Sequence, residues 1–234
     1  SSFGGNRSRG VSILIFRNFT FSVQKFEYDF DGRFIFVDVL IEDIPYRLIN
    51  VYCSNNSKNR REFIQNLSPF LVSNKNIICG GDWNCIQNSL LDKYGSGANF
   101  TFGCEGANEL NSMCTNFNLV DIFQKLNPNS KAATWHENAK DIHTRIDRIY
   151  VFKELVRSDI TFQFFPISFS DHDIFSINLH NFRKITSGPS YWKFNTSLLD
   201  DNLFIQKCSS FLKYHVSDFV VSLENLDGLK SKIK

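Results

Sequence analysis

No stretch of this 234-residue chain approaches the roughly 18 uninterrupted apolar residues that a membrane-spanning helix needs. The opening Ser1-Ser2-Phe3-Gly4-Gly5-Asn6-Arg7 has neither the basic start nor the apolar centre of a secretory signal. No membrane partner is therefore expected, and an intracellular location, nucleus or cytoplasm, is. Also missing are a Cys-x-x-Cys pair and the Cys/His spacing of a zinc module; the six cysteines, at 53, 79, 85, 104, 114 and 208, read as reduced, mostly buried thiols. An excess of one charge is lacking too. A formal net charge of +2 is too mild to argue for nucleic-acid binding on global electrostatics, so any nucleic acid must be held by a local patch. No internal repeat or low-complexity tract is evident.

What is present is apolar and aromatic. With 42% hydrophobic residues and 25 phenylalanines, the chain carries more than a disordered segment would, and enough for one large core or one core plus a short appendage. Val11 to Phe16, Phe34 to Ile41 and Tyr46 to Tyr52 read as strands of an antiparallel meander. Ser57 or Asn59 can cap a helix whose apolar face is Phe63, Leu67, Phe70 and Leu71, ahead of a short buried strand at Ile77-Ile78-Cys79. Leu110, Met113, Cys114 and Phe117 mark a second helix. Further strands are expected at Ala132 to Trp135, Arg148 to Val151, Phe162 to Phe165 and Ile174 to Leu179. This mixture predicts a layered α/β domain, two sheets flanked by helices. Past Arg183 the character changes to a loop, then a helix from Asp200 or Asp201 with the stripe Phe204, Cys208, Phe211, Leu212, Phe219, Val220 and Leu223.

Three constellations carry chemistry. Gly80-Gly81-Asp82-Trp83-Asn84 follows the buried strand; its glycines permit a sharp turn, and its two-residue spacing can put Asp82 and Asn84 on one side, offering oxygen ligands to a hard cation or polar contacts to a phosphate. Gly-Gly-Asp is also ordinary turn chemistry. Asp147 stands at the mouth of an apolar run in Arg145-Ile146-Asp147-Arg148-Ile149, where an ion pair with Arg145 or Arg148 is the plainer reading. Ser170-Asp171-His172-Asp173 supplies an imidazole that can exchange protons near neutrality, with carboxylates beside it to orient the ring. At the strand ends of a two-sheet sandwich the three can converge on one rim, where cleaving a phosphodiester needs a cation, an activated water and a proton acceptor.

With these residues the chain resembles the endonuclease/exonuclease/phosphatase (DNase I-like) superfamily, in the form carried by LINE-type non-LTR retrotransposons. Asn50-Val51-Tyr52 resembles the strand with the active-site tyrosine, Gly80-Gly81-Asp82-Trp83-Asn84 the Gly-Asp-aromatic-Asn motif, Arg145-Ile146-Asp147-Arg148 the Ser-Arg-Ile-Asp motif (with Thr144 where Ser is usual), and Ser170-Asp171-His172 the Ser-Asp-His motif. Thr134-Trp135 resembles the Thr-Trp strand of retroelement members, Ser8 to Ile15 their Arg-Gly-Val segment, and Gly188 to Asn195 the joint to a downstream reverse transcriptase. The resemblance implies a four-layered α/β/β/α sandwich of two mainly antiparallel sheets and an endonuclease that nicks target DNA with Mg²⁺, Mn²⁺ being a substitute. Tyr52 would contact the scissile phosphate, Asp82 and Asn84 would position the water, Asp147 would pair with His172, and Asp171 would help bind metal; the proton acceptor stays open.

Arg7, Arg9, Arg60, Arg61, Lys93, Thr134 and Arg145 are the candidates for holding DNA. The family's first strands, with an Asn and the principal metal-binding Glu, would precede Ser1, so residues 1–182 are expected to be a partial domain that is inactive as it stands or needs those strands. Residues 183–234 would be a linker and amphipathic helix leading toward the reverse transcriptase of the same polyprotein. A non-catalytic remnant or binding module, and a phosphatase or lipid phosphodiesterase of the same fold, are the competing readings.

Overall fold

The computed structural model describes residues 2–3, 10–16, 20–97, 103–156, 160–179 and 202–215. In chain order its elements are β1 (Ser2–Phe3), β2 (Gly10–Val11), β3 (Phe21–Tyr28), β4 (Phe34–Ile41), β5 (Ile44–Tyr52), α1 (Ser57–Asn66), α2 (Ser68–Leu71), β6 (Asn76–Asp82), β7 (Lys93–Tyr94), α3 (Ala107–Asn116), β8 (Leu119–Asp121), α4 (Ile122–Leu126), β9 (Trp135–Glu137), β10 (Ile142–Thr144), β11 (Asp147–Phe152), β12 (Thr161–Phe165), β13 (Ile174–Asn178) and α5 (Asn202–His215). The chain divides into two compact units, residues 1–185 and 186–234. Of the second, α5 is what is described, starting close to the expected helix start.

A six-stranded sheet in the order β3-β4-β5-β6-β11-β8 organises the first unit. Strand β4 is a run of β-branched and aromatic residues, Phe34 to Ile41, which favours a pleated, half-buried surface. It returns into β5 through a two-residue turn at Glu42 and Asp43, both at positive φ (51° and 65°), the backbone that a right-twisted hairpin requires. β5 and β6 then pair in parallel, with α1 and α2 as the crossover; β11 returns antiparallel to β6.

Alternation sorts the side chains to two faces. One face presents Phe34, Phe36, Ile49, Val51, Ile77, Cys79 and Tyr150, and these form the main core with Ile64 and Leu67 from the α1 region and Leu110 and Met113 of α3. Burying a side chain such as Phe36 contributes about 2 kcal/mol. The other face carries Val37, Val39, Tyr46, Leu48 and Ile78, against which Ile13 and Ile15 pack, and further along Ile149 and Val151, which meet Ile177 of the β12–β13 ribbon. Two sheet layers with helices outside them make the expected α/β class the class found.

Some local expectations change. Beyond Val11, residues 12–16 form no ladder, although Ile13 and Ile15 still face the core. The edge strand β3 was not foreseen, because its apolar residues Val23, Phe26 and Tyr28 are exposed and a bulge between Val23 and Lys25 breaks their alternation. Asn56, not Ser57 or Asn59, caps α1, its side chain accepting the Asn59 amide at 3.1 Å. The predicted single helix is split at Leu67, because Pro69 starts a new turn. The run Ala132 to Thr134 is a buried loop; only Trp135 enters a strand.

Candidate active site

Register builds the site. Tyr52 is the lateral partner of Asp82 across β5 and β6, and Asp82 is the partner of Asp147 across β6 and β11. Three polar side chains thus stand abreast at one end of three neighbouring strands, in phase with Leu48, Ile78 and Ile149 and away from the helix-covered core. The glycines before Asp82 do not make the sharp turn expected of them; both lie inside β6. Gly81 is needed for close approach: at φ +142° a Cβ there would sit 2.0 Å from the Val51 carbonyl oxygen.

Past the strand end Asn84 adopts a left-handed backbone (φ 47°), which folds it back on Asp82. Its backbone N–H donates to Asp82 Oδ1 at 2.9 Å, and its side-chain amide donates to Asp82 Oδ2 at 2.9 Å and to the Cys53 carbonyl at 2.8 Å. The pairing of Asp82 and Asn84 foreseen in the sequence is therefore real, but a backbone reversal makes it, not strand alternation. Trp83 between them is fully buried, edge-on to Tyr150.

Asp147 is paired neither with Arg145 nor with Arg148. His172 Nδ1 lies 2.8 Å from Asp147 Oδ2, and carboxylate and imidazole atoms of Asp82, Asp147 and His172 all lie within 4.8 Å of one another. Burial, and then the charge of Asp147, push the Asp82 carboxyl up to about 7, against the downward pull of Asn84 and His172. The hydrogen bond to Asp147 raises His172, more than burial lowers it. A rim of two carboxylates facing each other is a place where a hard cation with oxygen preference fits, since it would relieve the repulsion that raises Asp82.

Asp171, expected as a metal ligand, stands outside this trio: its Oδ2 accepts the Trp135 ring N–H at 2.9 Å. Thr134, expected on DNA, is buried, and its hydroxyl accepts the backbone N–H groups of Ile146 (3.2 Å) and Asp147 (3.0 Å), so it sets the strand carrying Asp147. Arg145 is buried in a network with Arg148, Asp92 and Asp121, all contacts between 2.7 and 2.9 Å. Arg60 is buried too, donating to the carbonyls of Ser54, Asn55 and Glu105. Lys93 is buried in β7. None of these four can meet a phosphate backbone from outside, which corrects their assignment; positive charge in the sequence does not say whether a partner is already waiting inside. Arg61 is exposed on α1. Arg7, Arg9 and the tail segment Gly188 to Asn195 lie outside the described residues.

Sequence reasoning passed over His136, His143 and Asp141, which with Asp173 form a hydrogen-bonded group beside His172. The acids on both sides of His172 were the signal. Their partners on β9 and β10 have no diagnostic spacing.

No family model matches the chain. It is 28% identical over 207 residues to the Transposon TX1 uncharacterized 149 kDa protein of Xenopus laevis, an alignment covering 84% of this chain and 15% of that protein. The chain thus spans about 15% of the length of this curated relative. Among solved structures, the AP endonuclease LMAP from Leishmania major superposes with a TM-score of 0.50 at 20% identity, covering 64% of this chain and 55% of that one. The 3'-5' exonuclease NExo from Neisseria meningitidis gives 0.49 at 16% identity, over 67% and 71% of the respective chains. The chain has the DNase I-like fold and is related in sequence to a transposon-encoded protein.

Proposed function

We propose that this chain, a DNase I-like domain with a transposon relative, is the phosphodiester-cleaving endonuclease part of a LINE-type polyprotein, nicking target DNA with Mg²⁺ ahead of a reverse transcriptase on the same chain. The observation that carries the reading is the row of Tyr52, Asp82 and Asp147 at adjacent strand ends, with His172 fastened to Asp147.

Each part of that row has a task a phosphodiester imposes. Asn84 fixes both oxygens of Asp82, so the carboxylate presents its remaining lone pairs in one orientation to an attacking water. His172, its Nδ1 on Asp147, offers Nε2 to the substrate; in the protonated form, which that bond favours, it can donate to a phosphate oxygen as negative charge builds there. The Tyr52 hydroxyl stands next in the row to touch the same phosphate. Asp82 and Asp147 are the residues that would hold Mg²⁺, whose chemistry when bound is to neutralise the phosphate and the leaving oxygen. Of the DNA-holding candidates among the described residues, Arg61 is the exposed one and would contact the DNA backbone.

The test is conversion of supercoiled plasmid to open circle in Mg²⁺. Joined to the upstream strands that the resemblance calls for, the domain is expected to nick, and Asp82→Ala and His172→Ala each to slow nicking about 10²-fold or more. Equal nicking by all three proteins would sink the assignment.

A further inference from the structure

Strand β9, with Thr134 before it, runs along the loop that carries His172 and holds it at Asp171, His172 and Asp173. The Trp135 ring N–H donates to Asp171 Oδ2 at 2.9 Å, the His136 backbone N–H donates to the Asp171 carbonyl at 2.9 Å, the Asp173 N–H donates to the Thr134 carbonyl at 2.8 Å, and Trp135 and His172 form a β-bridge. The side chain of His136 adds a longer connection. Its Nε2 is 2.9 Å from Asp173 Oδ2 and its Nδ1 is 2.8 Å from His143 Nδ1; His143 Nε2 is 3.0 Å from Asp141 Oδ1. Asp141 Oδ2 in turn accepts the backbone N–H and the hydroxyl of Ser96, each at 2.7 Å. Tyr94 stacks on the His143 ring, centroids 5.1 Å apart and planes 27° from parallel.

The donors and acceptors in this chain can be counted. A carboxylate only accepts, so both Nε2 atoms carry protons toward Asp173 and Asp141. The two Nδ1 atoms, 2.8 Å apart, repel through their lone pairs unless one of them is protonated. One Nδ1 donating to the other makes this contact a hydrogen bond that ties the two rings together. Ser96 and His143 keep Asp141 down at about 2, so it is ionised and able to accept. The two histidines come from adjacent strands, β9 and β10, and are register partners, so the sheet itself fixes their spacing.

We infer that His136 and His143 are positioning residues: the relay from Ser96 through Asp141, His143 and His136 to Asp173 clamps the loop so that His172 meets Asp147. Neither histidine touches the reacting atoms. The geometry favours this over a packing role because every polar atom of both rings is spent on a bond along one line, and that line ends one residue from His172.

The kinetic consequence rests on the nuclease reading; the clamp does not, so two arms are measured on the full chain. In the first, His136→Phe keeps the ring but loses the bonds, and His136→Gln loses the ring but keeps a donor toward Asp173. The Phe variant is expected to lower kcat for plasmid nicking about tenfold or more with KM changed less than about twofold, and the Gln variant to recover most of kcat. In the second, amide exchange at His136 and Asp173 should quicken about tenfold in the Phe variant and stay near wild type in the Gln variant. On the wild type alone, a ¹⁵N-histidine spectrum should show a scalar coupling across the Nδ1–Nδ1 hydrogen bond of the 136/143 pair, a readout that survives even if the Phe variant fails to fold. Wild-type kcat in the Phe variant, unchanged exchange, or no coupling between the two rings overturns the inference. A wild-type protein that does not nick even when joined to the upstream strands overturns the nuclease reading instead, and the exchange and ¹⁵N arms then decide the clamp.

Discussion

Asp147 and Arg148 are consecutive residues of β11 that enter opposite kinds of electrostatic surroundings. Asp147 turns to the rim, beside Asp82 and His172, where two carboxylates face one imidazole. Arg148 turns to the interior, where its guanidinium and that of Arg145 share Asp92 and Asp121, two charges of each sign in balance. The same residue types behave in opposite ways. Burial raises Asp92, yet Arg148 and Arg145 more than reverse this and hold it below the ordinary carboxylate range, while Asp82, which pairs with no guanidinium among the described residues, is pushed up to about 7. Balance makes a group part of the frame; imbalance leaves it free to bind something, and the two sides of one strand supply both.

The comparison breaks most visibly at the rim. Asp82→Asn, nearly the same size, should cut plasmid nicking about 10³-fold while the protein stays folded, as near-ultraviolet circular dichroism would show. Should it nick like wild type, the unbalanced side is not where the chemistry happens. Next in size is Arg148→Met. It strands Asp92 and Asp121 with Arg145 alone and should cost about 3 kcal/mol, roughly a hundredfold in the folded-to-unfolded ratio by urea denaturation; a loss below about 1 kcal/mol would mean the network is not the frame described.

A smaller contrast lies in pH. Asp82 binds its proton more tightly folded than unfolded, so without metal it costs nothing below about pH 4 and destabilises progressively as pH rises toward 7. Asp92 is the reverse: its stabilisation is whole above about pH 4 and is lost as pH falls through its lowered folded value. Metal-free Asp82→Asn should therefore melt about 5 °C higher than wild type at pH 8 and level with it at pH 4, whereas Asp92→Asn should melt lower at pH 7 with the gap closing in stronger acid. The smallest effect is expected from Arg61→Ala, about threefold in plasmid affinity with the salt slope reduced by about 1.

These contrasts also explain what could be read beforehand. The motifs around Tyr52, Asp82, Asp147 and His172 were legible because each stands where an apolar run ends, and strand ends on one edge are brought together by the fold. The fates of Arg60 and Arg145 were not, since their partners are backbone carbonyls and acids that no local spacing marks. Thr134 was picked for its place before Trp135 and proves to support Asp147 from behind. β3 was hidden by its bulge, and the histidine relay by having its members on different strands.

The parallel pairing of β5 with β6, alone among antiparallel neighbours in the main sheet, bears on how the protein acquires its row of side chains. A hairpin can zip from its turn, but two parallel strands meet only after the segment between them has closed as a loop and α1 has found the sheet. Tyr52 and Asp82 become neighbours at that step, and Asp147 joins only when β11 docks on β6. Refolding followed by the fluorescence of Trp83, which is buried at this junction, should therefore rise together with the appearance of the site itself, with no early hairpin phase carrying the signal.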